Sequence, residues 1–383
     1  MRMLVLGAGR MGLGAVHDLA SQPDVTEVTV ADADAAKARH VADRVKHGKV
    51  KAVQIDVKDN AAVVGLMRGH AATISCVNYW YNEQLARAAI AAGSHFCDLG
   101  GNNDVVAREL ELDREARAAG VNVIPDCGLA PGMVAVLVAH AAARFEQLDS
   151  IHIRVGGLPQ DPKPPLDYQL VFSVEGLINE YIEPARIIRD GKIALVESMT
   201  EIESLEFPAP FQRMEAFQTS GGTSTLPDTF LGRVRDLDYK TIRYPGHCIR
   251  FKTMIDLGLC GSEPIEVDGK SVVPRHLFGE LLVQNLPHDE PDVVLVRVEV
   301  SGRSGKAAKR LRYDIIDRQD PATGLSAMMR TTAFPASIVA LMMARGQTTG
   351  QGAMPQERCI PPDMFMSELS HRDIRVHEQW LPA

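Results

Sequence analysis

The residues of this 383-residue chain that most plainly invite chemistry lie at its start. Gly7-Ala8-Gly9-Arg10-Met11-Gly12 follows the apolar run Met3–Leu6 and leads into Leu13–Leu19, where Val16, Leu19 and Ala20 fall at helical spacing. Strand, tight turn and helix in that order make a phosphate cradle. Gly7 permits the turn, Gly9 lets a pyrophosphate reach the backbone, and Gly12 lets the helix pack closely on the strand. The helix N-terminus, with Arg10 and Met11 in its first turn, adds N–H groups and partial positive charge. Asp32 ends the second predicted strand, Glu27–Ala31, about 20 residues beyond Gly12, where a carboxylate accepts hydrogen bonds from an adenosine ribose and repels a 2′-phosphate. No Arg or Lys lies between Asp32 and Lys37, so the pattern selects NAD over NADP. Asp56-Val57, closing a third strand, stands where an adenine is gripped, although a plain surface carboxylate fits Asp56 equally well. Cys76-Val77-Asn78 closes a fourth, at the edge where ligands collect in such sheets.

A second constellation is Asp126-Cys127-Gly128-Leu129-Ala130-Pro131-Gly132. Its two glycines and one proline hold a loop to a narrow range of shapes at the carboxyl edge of the same sheet.

The elements that must position these residues alternate regularly. Strands are predicted at Met3–Leu6, Glu27–Ala31, Val50–Ile55, Thr73–Val77, His95–Leu99 and Val121–Pro125, with helices such as Ala33–Val45, Ala61–Met67, Glu83–Ala92 and Asp104–Ala119 between them. Roughly 125 residues therefore build a parallel, helix-covered sheet. Beyond Pro131-Gly132, strands at Ile151–Val155, Tyr168–Phe172, Lys192–Val196, Tyr239–Tyr244 and Val293–Val300, set among prolines and long connections, predict a second, mixed α/β domain. Leu325–Arg345 returns to a helical pattern, and the tail after Gly346 is polar.

Composition narrows the function. Hydrophobic residues at 45% supply a core, and a net charge of −8 without basic runs argues against nucleic acid as a partner. The apolar stretches Met133–Ala143 and Ala333–Ala344 are too short to span a bilayer, so no membrane partner is expected. The charged and then apolar N-terminus imitates a secretory signal faintly, but Arg10 interrupts it and the periodic pattern runs through it, so it reads as part of the fold. Six cysteines without a CxxC pair and twelve histidines without ligand spacing predict no metal site and a reducing, cytoplasmic setting.

Gly128–Met133 (GLAPGM), Val155–Gln160 (VGGLPQ), Gly176–Pro184 (GLINEYIEP), Ser220-Gly221-Gly222 and Thr241–His247 (TIRYPGH) recur in an order and spacing that carries a likeness. The chain resembles the saccharopine dehydrogenase-like oxidoreductases over nearly its whole length, and among them the lysine 6-dehydrogenases. The resemblance implies an α/β fold with an N-terminal Rossmann doubly wound parallel sheet, residues 1–126 plus 326–383, and an inserted mixed α/β substrate and dimerisation domain, residues 127–325. It implies NAD-dependent oxidation of the carbon bearing the ε-amine of L-lysine, giving a semialdehyde that closes to a cyclic imine, with loss of ammonia. A homo-oligomer, dimer or tetramer, is implied as well. Saccharopine-forming reductases read GLDPG at the loop, and Ala130 replaces that Asp here. A saccharopine or carboxynorspermidine dehydrogenase of the same family is the alternative, as is a non-catalytic NAD-sensing module.

Given that chemistry, Arg243 is the expected anchor, because a planar guanidinium grips a carboxylate through two parallel hydrogen bonds and matches the family's substrate-binding arginine. His247 is a base or hydrogen-bond partner, or else a satisfied core histidine. Asp98 would accept a proton or fix the amine, with loop ordering as its plainer role. Cys127 is expected against substrate or nicotinamide, not as a nucleophile, and Tyr168 bounds the pocket or packs in the sheet. Glu175, Asn179 and Glu183 share a face of a predicted helix that also carries Glu180; that face would meet an α-ammonium, or else face solvent.

Overall fold

The computed structural model describes residues 1–305 and 307–382. The chain divides into two compact units, one of Met1–Ala143, Ser224–Leu226 and Met329–Arg375, the other of Arg144–Thr223, Pro227–Met328 and Val376–Ala383.

In the first unit β1 (Arg2–Leu6), β2 (Glu27–Asp32), β3 (Val50–Gln54), β4 (Ala72–Ser75), β5 (His95–Asp98) and β6 (Asn122–Ile124) lie in the order β6-β5-β4-β1-β2-β3, with the short strand Gly352–Ala353 beside β6. All pairs are parallel, so this is the predicted Rossmann sheet, with its switch point between β1 and β4. Apolar side chains from the strands and covering helices, among them Leu4, Leu6, Met67, Leu85, Ala89 and Phe96, form one buried cluster. Local chemistry sets the ends of helices: the Asp34 carboxylate accepts from the N–H groups of Ala36 and Lys37, and Gly93 closes Asn82–Ala92 at φ 71°. The single helix expected over 104–119 is two, Asn103–Leu110 and Asp113–Ala119, because Leu112 turns into the core between them.

In the second unit β7 (Gln147–Pro159), β8 (Ala185–Arg189), β9 (Lys192–Val196), β10 (Glu203–Phe207), β11 (Gln212–Gln218), β12 (Asp236–Arg243), β15 (Asp292–Ser304) and β16 (Ala307–Arg318) join the strand His377–Pro382 in a mixed sheet. Its path is β10-β11-β12-β7-β15-β16 and then His377–Pro382, with β8 pairing β12 and β9; β13 (Ile265–Val267) and β14 (Lys270–Val272) form a separate hairpin. Side chains alternate along β12, placing Tyr239, Thr241 and Arg243 on one face and Asp238, Lys240 and Ile242 on the other.

Four expectations change. Tyr168–Phe172 is irregular, not a strand, because the Leu170 N–H bonds the carbonyl of Pro287 in another loop instead of joining a ladder. The first unit continues past residue 126 through the helix Met133–Ala142. The polar tail is ordered into the helices Gln356–Cys359 and Pro362–His371, and His377–Pro382 pairs with β16, which places it in the second unit. The helix Ala327–Ala344 has 18 residues and is apolar and long enough to cross a bilayer, yet nearly all of it is buried inside the protein. The two tryptophans fall one to each unit: Trp80 in the turn Tyr79–Tyr81 after β4, and Trp380 on His377–Pro382, against Phe145.

Candidate nucleotide and substrate sites

The glycine turn has the shape its sequence asks for. Gly7 adopts φ 98° and its N–H bonds Ala31 O at 2.7 Å; a Cβ there would lie 2.7 Å from Cys76 O. At Gly12 a Cβ would meet Gly7 O at 1.9 Å, so the helix Arg10–Ser21 approaches β1 only because that side chain is missing. Gly9 differs: a Cβ there meets nothing within 4 Å, and no side chain caps the helix it starts. An open space over an uncapped helix N-terminus, with Arg10, Met11 and Gly12 in its first turn, fits a diphosphate. Asp32 Oδ2 accepts from the Ala8 N–H at 2.7 Å and Oδ1 from the Asp34 N–H at 2.9 Å, which fixes the carboxylate beside the turn. Asp56 is exposed and accepts from the Lys58 N–H, while the carbonyl of half-buried Val57 accepts from Gln84 Nε2. Cys76 and Val77 border Gly7, with Asn78 exposed beyond them.

At the carboxyl ends of β5 and β6 lies a set of buried acids. Asp98 is fully buried; its Oδ1 accepts from the N–H groups of Gly100 and Asp126, so it ties two loops together. Its other oxygen makes no hydrogen bond among the described residues and lies near the Glu109 carboxyl; burial raises both acids, and burial with the charge of Asp98 pushes Glu109 up to about 11. Asp98 is thus a fully buried loop-ordering group, out of reach of a substrate. Cys127 is also fully buried, its Sγ 3.2 Å from Ile124 O, and burial raises its thiol far above the ordinary value. It packs among strand carbonyls and the Cys97 thiol, not on an open surface where substrate or nicotinamide would touch it. The sequence reading places Asp126 at the head of this loop but gives it no role of its own. Its backbone is left-handed at φ 62°, its Oδ2 accepts from the Ser224 hydroxyl, its Oδ1 has no partner among the described residues, and burial with neighbouring Asp98 lifts it to about 8. A carboxylate directly after a predicted strand was the signal available. A cleft beside it is lined by Pro131, Ser224, Thr225, Pro355, Gln356 and Glu357.

In the second unit three of the expected residues come together. Arg243, only 2% exposed, donates from Nε to Tyr181 Oη at 2.8 Å and from Nη1 to Ile242 O at 2.9 Å, and its guanidinium lies 4.7 Å from the centre of the Tyr168 ring. His247 Nδ1 must donate to Leu166 O at 2.9 Å, which leaves Nε2 to accept from the Tyr181 hydroxyl at 3.1 Å. Burial and the Arg243 charge push His247 down to about 3, so the ring stays neutral and its one acceptor is filled. His247 is therefore a hydrogen-bond partner and not a base. Glu215 holds the turn between these residues, accepting from the N–H groups of Gly246 and Cys248 at 2.7 Å each, while Gly246 takes φ 90°. Tyr168 is 1% exposed, its Oη has no partner among the described residues, and burial raises it to about 12. The helix Val174–Ile182 overturns one expectation: Arg275 Nη2 binds Glu175 Oε1 and Asn179 Oδ1 at 2.6 Å each, so that face is spoken for. Glu180, off that face, is the acid that interacts with Arg243.

The parallel sheet and its glycine cradle define a dinucleotide-binding domain. Residues 3–124 match the model of the saccharopine dehydrogenase NADP binding domain, and residues 128–374 that of the saccharopine dehydrogenase C-terminal domain. The chain belongs to the saccharopine dehydrogenase family. It is 26% identical over 285 residues to the L-glutamate-forming saccharopine dehydrogenase of Saccharomyces cerevisiae, covering 70% of this chain but only 61% of the yeast protein's length. It is 22% identical to the carboxyaminopropylagmatine dehydrogenase of Synechocystis, covering 98% and 97% of the two chains, and 23% identical to the carboxynorspermidine synthase of Vibrio cholerae, covering 96% and 94%. The apo structure of a yeast saccharopine dehydrogenase shares the fold with a TM-score of 0.82 at 20% identity, covering 99% of each chain.

Two predictions follow the geometry. Gly9→Ala should leave thermal stability within about 2 °C of the parent while weakening nucleotide binding at least about tenfold, whereas Gly12→Ala should cost about 1–3 kcal/mol of stability; calorimetric titration and thermal unfolding separate the two, and equal behaviour would refute the assignment. Asp126 keeps its proton to about 8 in the folded chain, whereas unfolded it would lose it near 3.9, so folding stability declines as pH rises between those values. In Asp126→Asn that decline should be shallower by up to about 1.4 kcal/mol per pH unit, read from urea unfolding at pH 5 and pH 8.

Proposed function

We propose that the protein is an NAD-dependent dehydrogenase that oxidises the amine-bearing carbon of a small amino acid, with the ε-amine of L-lysine as the reacting group. The observation that carries this reading is Arg243, a buried guanidinium whose Nη2 makes no hydrogen bond among the described residues. Such a group is costly to bury unless something completes its bonding, and a carboxylate is the complement of its planar fork. Ala130 supports lysine over saccharopine, since it removes the carboxylate that saccharopine-forming relatives carry at that loop position. Asp32 supports NAD: a carboxylate already tied to two backbone amides beside the turn disfavours a 2′-phosphate at the same place.

A pyridine nucleotide in the glycine cradle supplies the hydride acceptor. Gly9 would give its diphosphate access to the backbone at a turn that Gly7 and Gly12 make possible, and Asp32 would accept from its ribose hydroxyls. Arg243 holds the substrate carboxylate, while the chain of donors from Arg243 Nε through the Tyr181 hydroxyl to His247 keeps the guanidinium in one orientation. The reacting carbon loses a hydride and its nitrogen a proton; water then hydrolyses the imine to an aldehyde and ammonium. A second reading, dehydrogenation of a carboxylated polyamine, is favoured by the near full-length matches to the Synechocystis and Vibrio enzymes. It uses the same arginine.

Absorbance at 340 nm, followed with L-lysine, L-ornithine, saccharopine and carboxylated polyamines while ammonia is measured in parallel, separates the readings: L-lysine should reduce NAD with one ammonia released per turnover. In Arg243→Lys the KM for L-lysine should rise at least about tenfold while that for NAD stays within about twofold; parallel rises would remove Arg243 from the substrate site. Asp32→Ala combined with Ala33→Arg should move the kcat/KM ratio toward NADP by about tenfold or more, and an unchanged ratio would refute the ribose role.

A further inference from the structure

The polar groups around Arg243 are left incomplete in a telling way. Tyr181 and His247 satisfy one another and Arg243 Nε. Two buried atoms of the same cluster, Tyr168 Oη and Glu180 Oε2, remain without partners among the described residues, and Arg243 donates there only through Nε and Nη1. Glu180 lies on the helix Val174–Ile182, one residue before the buried Tyr181, and the Thr241 hydroxyl meets its carboxyl. Thr241 and Arg243 share a face of β12, so strand alternation brings the acid and the guanidinium to one cluster. They attract one another but form no ion pair, although closing one would satisfy both. Burial accordingly lifts the Glu180 carboxyl to about 7, a position that an incoming cation reverses.

We infer that Glu180 and Arg243 form a two-charge subsite for the head of an α-amino acid, Arg243 taking the α-carboxylate and Glu180 the α-ammonium. The subsite rests on the amino-acid reading above and sharpens it. The reacting amine must then be a second one, distal to a head group held intact, and the substrate class is diamino acids with a free α-amino group. Carboxylated polyamines that keep a free α-amino acid head fit both charges; polyamines without that head fit neither arrangement fully. Tyr168, with its hydroxyl unbonded and its ring on the guanidinium, closes one side of the head.

The test is calorimetric titration of the protein saturated with NADH, using L-lysine, 6-aminohexanoate, which lacks the α-amine, and cadaverine, which lacks the carboxylate. The parent should bind L-lysine at least about tenfold more tightly than either analogue. Glu180→Gln, which keeps shape and hydrogen bonding, should weaken L-lysine by about tenfold or more and leave 6-aminohexanoate within about twofold; Arg243→Lys should erase the preference over cadaverine. Glu180→Asp should restore part of the lost affinity, and melting temperatures near the parent's exclude unfolding as the cause. Equal weakening of all three ligands by Glu180→Gln, or no preference for L-lysine in the parent, overturns the subsite. Preferential binding of L-lysine without NAD reduction would overturn the dehydrogenase reading alone and leave the subsite standing.

Discussion

A guanidinium keeps its charge at every pH a cell offers, and Arg243 keeps it almost wholly out of water. Much of the second unit around it is explicable as accommodation of that charge. Two tyrosine rings present their faces to it, the Tyr181 hydroxyl takes its Nε–H, and His247, fixed by the Leu166 carbonyl, receives the next proton in line. A charged imidazole beside it would repel it, so the same burial that orients the histidine also holds it neutral. Glu215, by bonding the N–H groups on either side of His247, holds the turn that joins strand to helix and so sets where both side chains stand.

The first unit meets the opposite problem, an excess of buried acids. Asp98, Glu109 and Asp126 cannot all ionise within one apolar neighbourhood, and protons retained on two of them remove most of the cost. What remains is structural: Asp98 joins the ends of β5 and β6 through backbone N–H groups, and Asp126 accepts from Ser224 within the same unit. The loop from Asp126 to Gly132 is held further by the close approach of Gly132 to the Gly128 carbonyl, which leaves no room for a Cβ.

What the sequence made legible was local. The glycine cradle, Asp32 and the alternation of strand and helix depend on residues a few positions apart, where turn geometry and periodicity act directly. The fate of individual polar groups was not legible, because it depends on partners far along the chain. His247 reads as a base until Leu166 and Tyr181 are seen to occupy both its nitrogens, and Asp98 until Glu109 is found against it. On the helix Val174–Ile182 the shared face of Glu175 and Asn179 was correctly spaced, but Arg275, a hundred residues on, claims it. Leu177, Ile178 and Tyr181 mark the inward side, and reading the acid that borders them would have pointed to Glu180. Tyr168–Phe172 had strand composition, yet its backbone bonds to another loop, a pairing no window of sequence reveals.

The distribution of indoles has an optical consequence. Trp80 follows β4 at the carboxyl edge of the nucleotide-binding sheet, and Trp380 sits on the far strand of the other sheet. Each unit thus carries a single indole. Emission from Trp80 overlaps the absorption of a reduced nicotinamide, so energy transfer can register occupancy of the cradle, while Trp380 reports the melting of its own sheet.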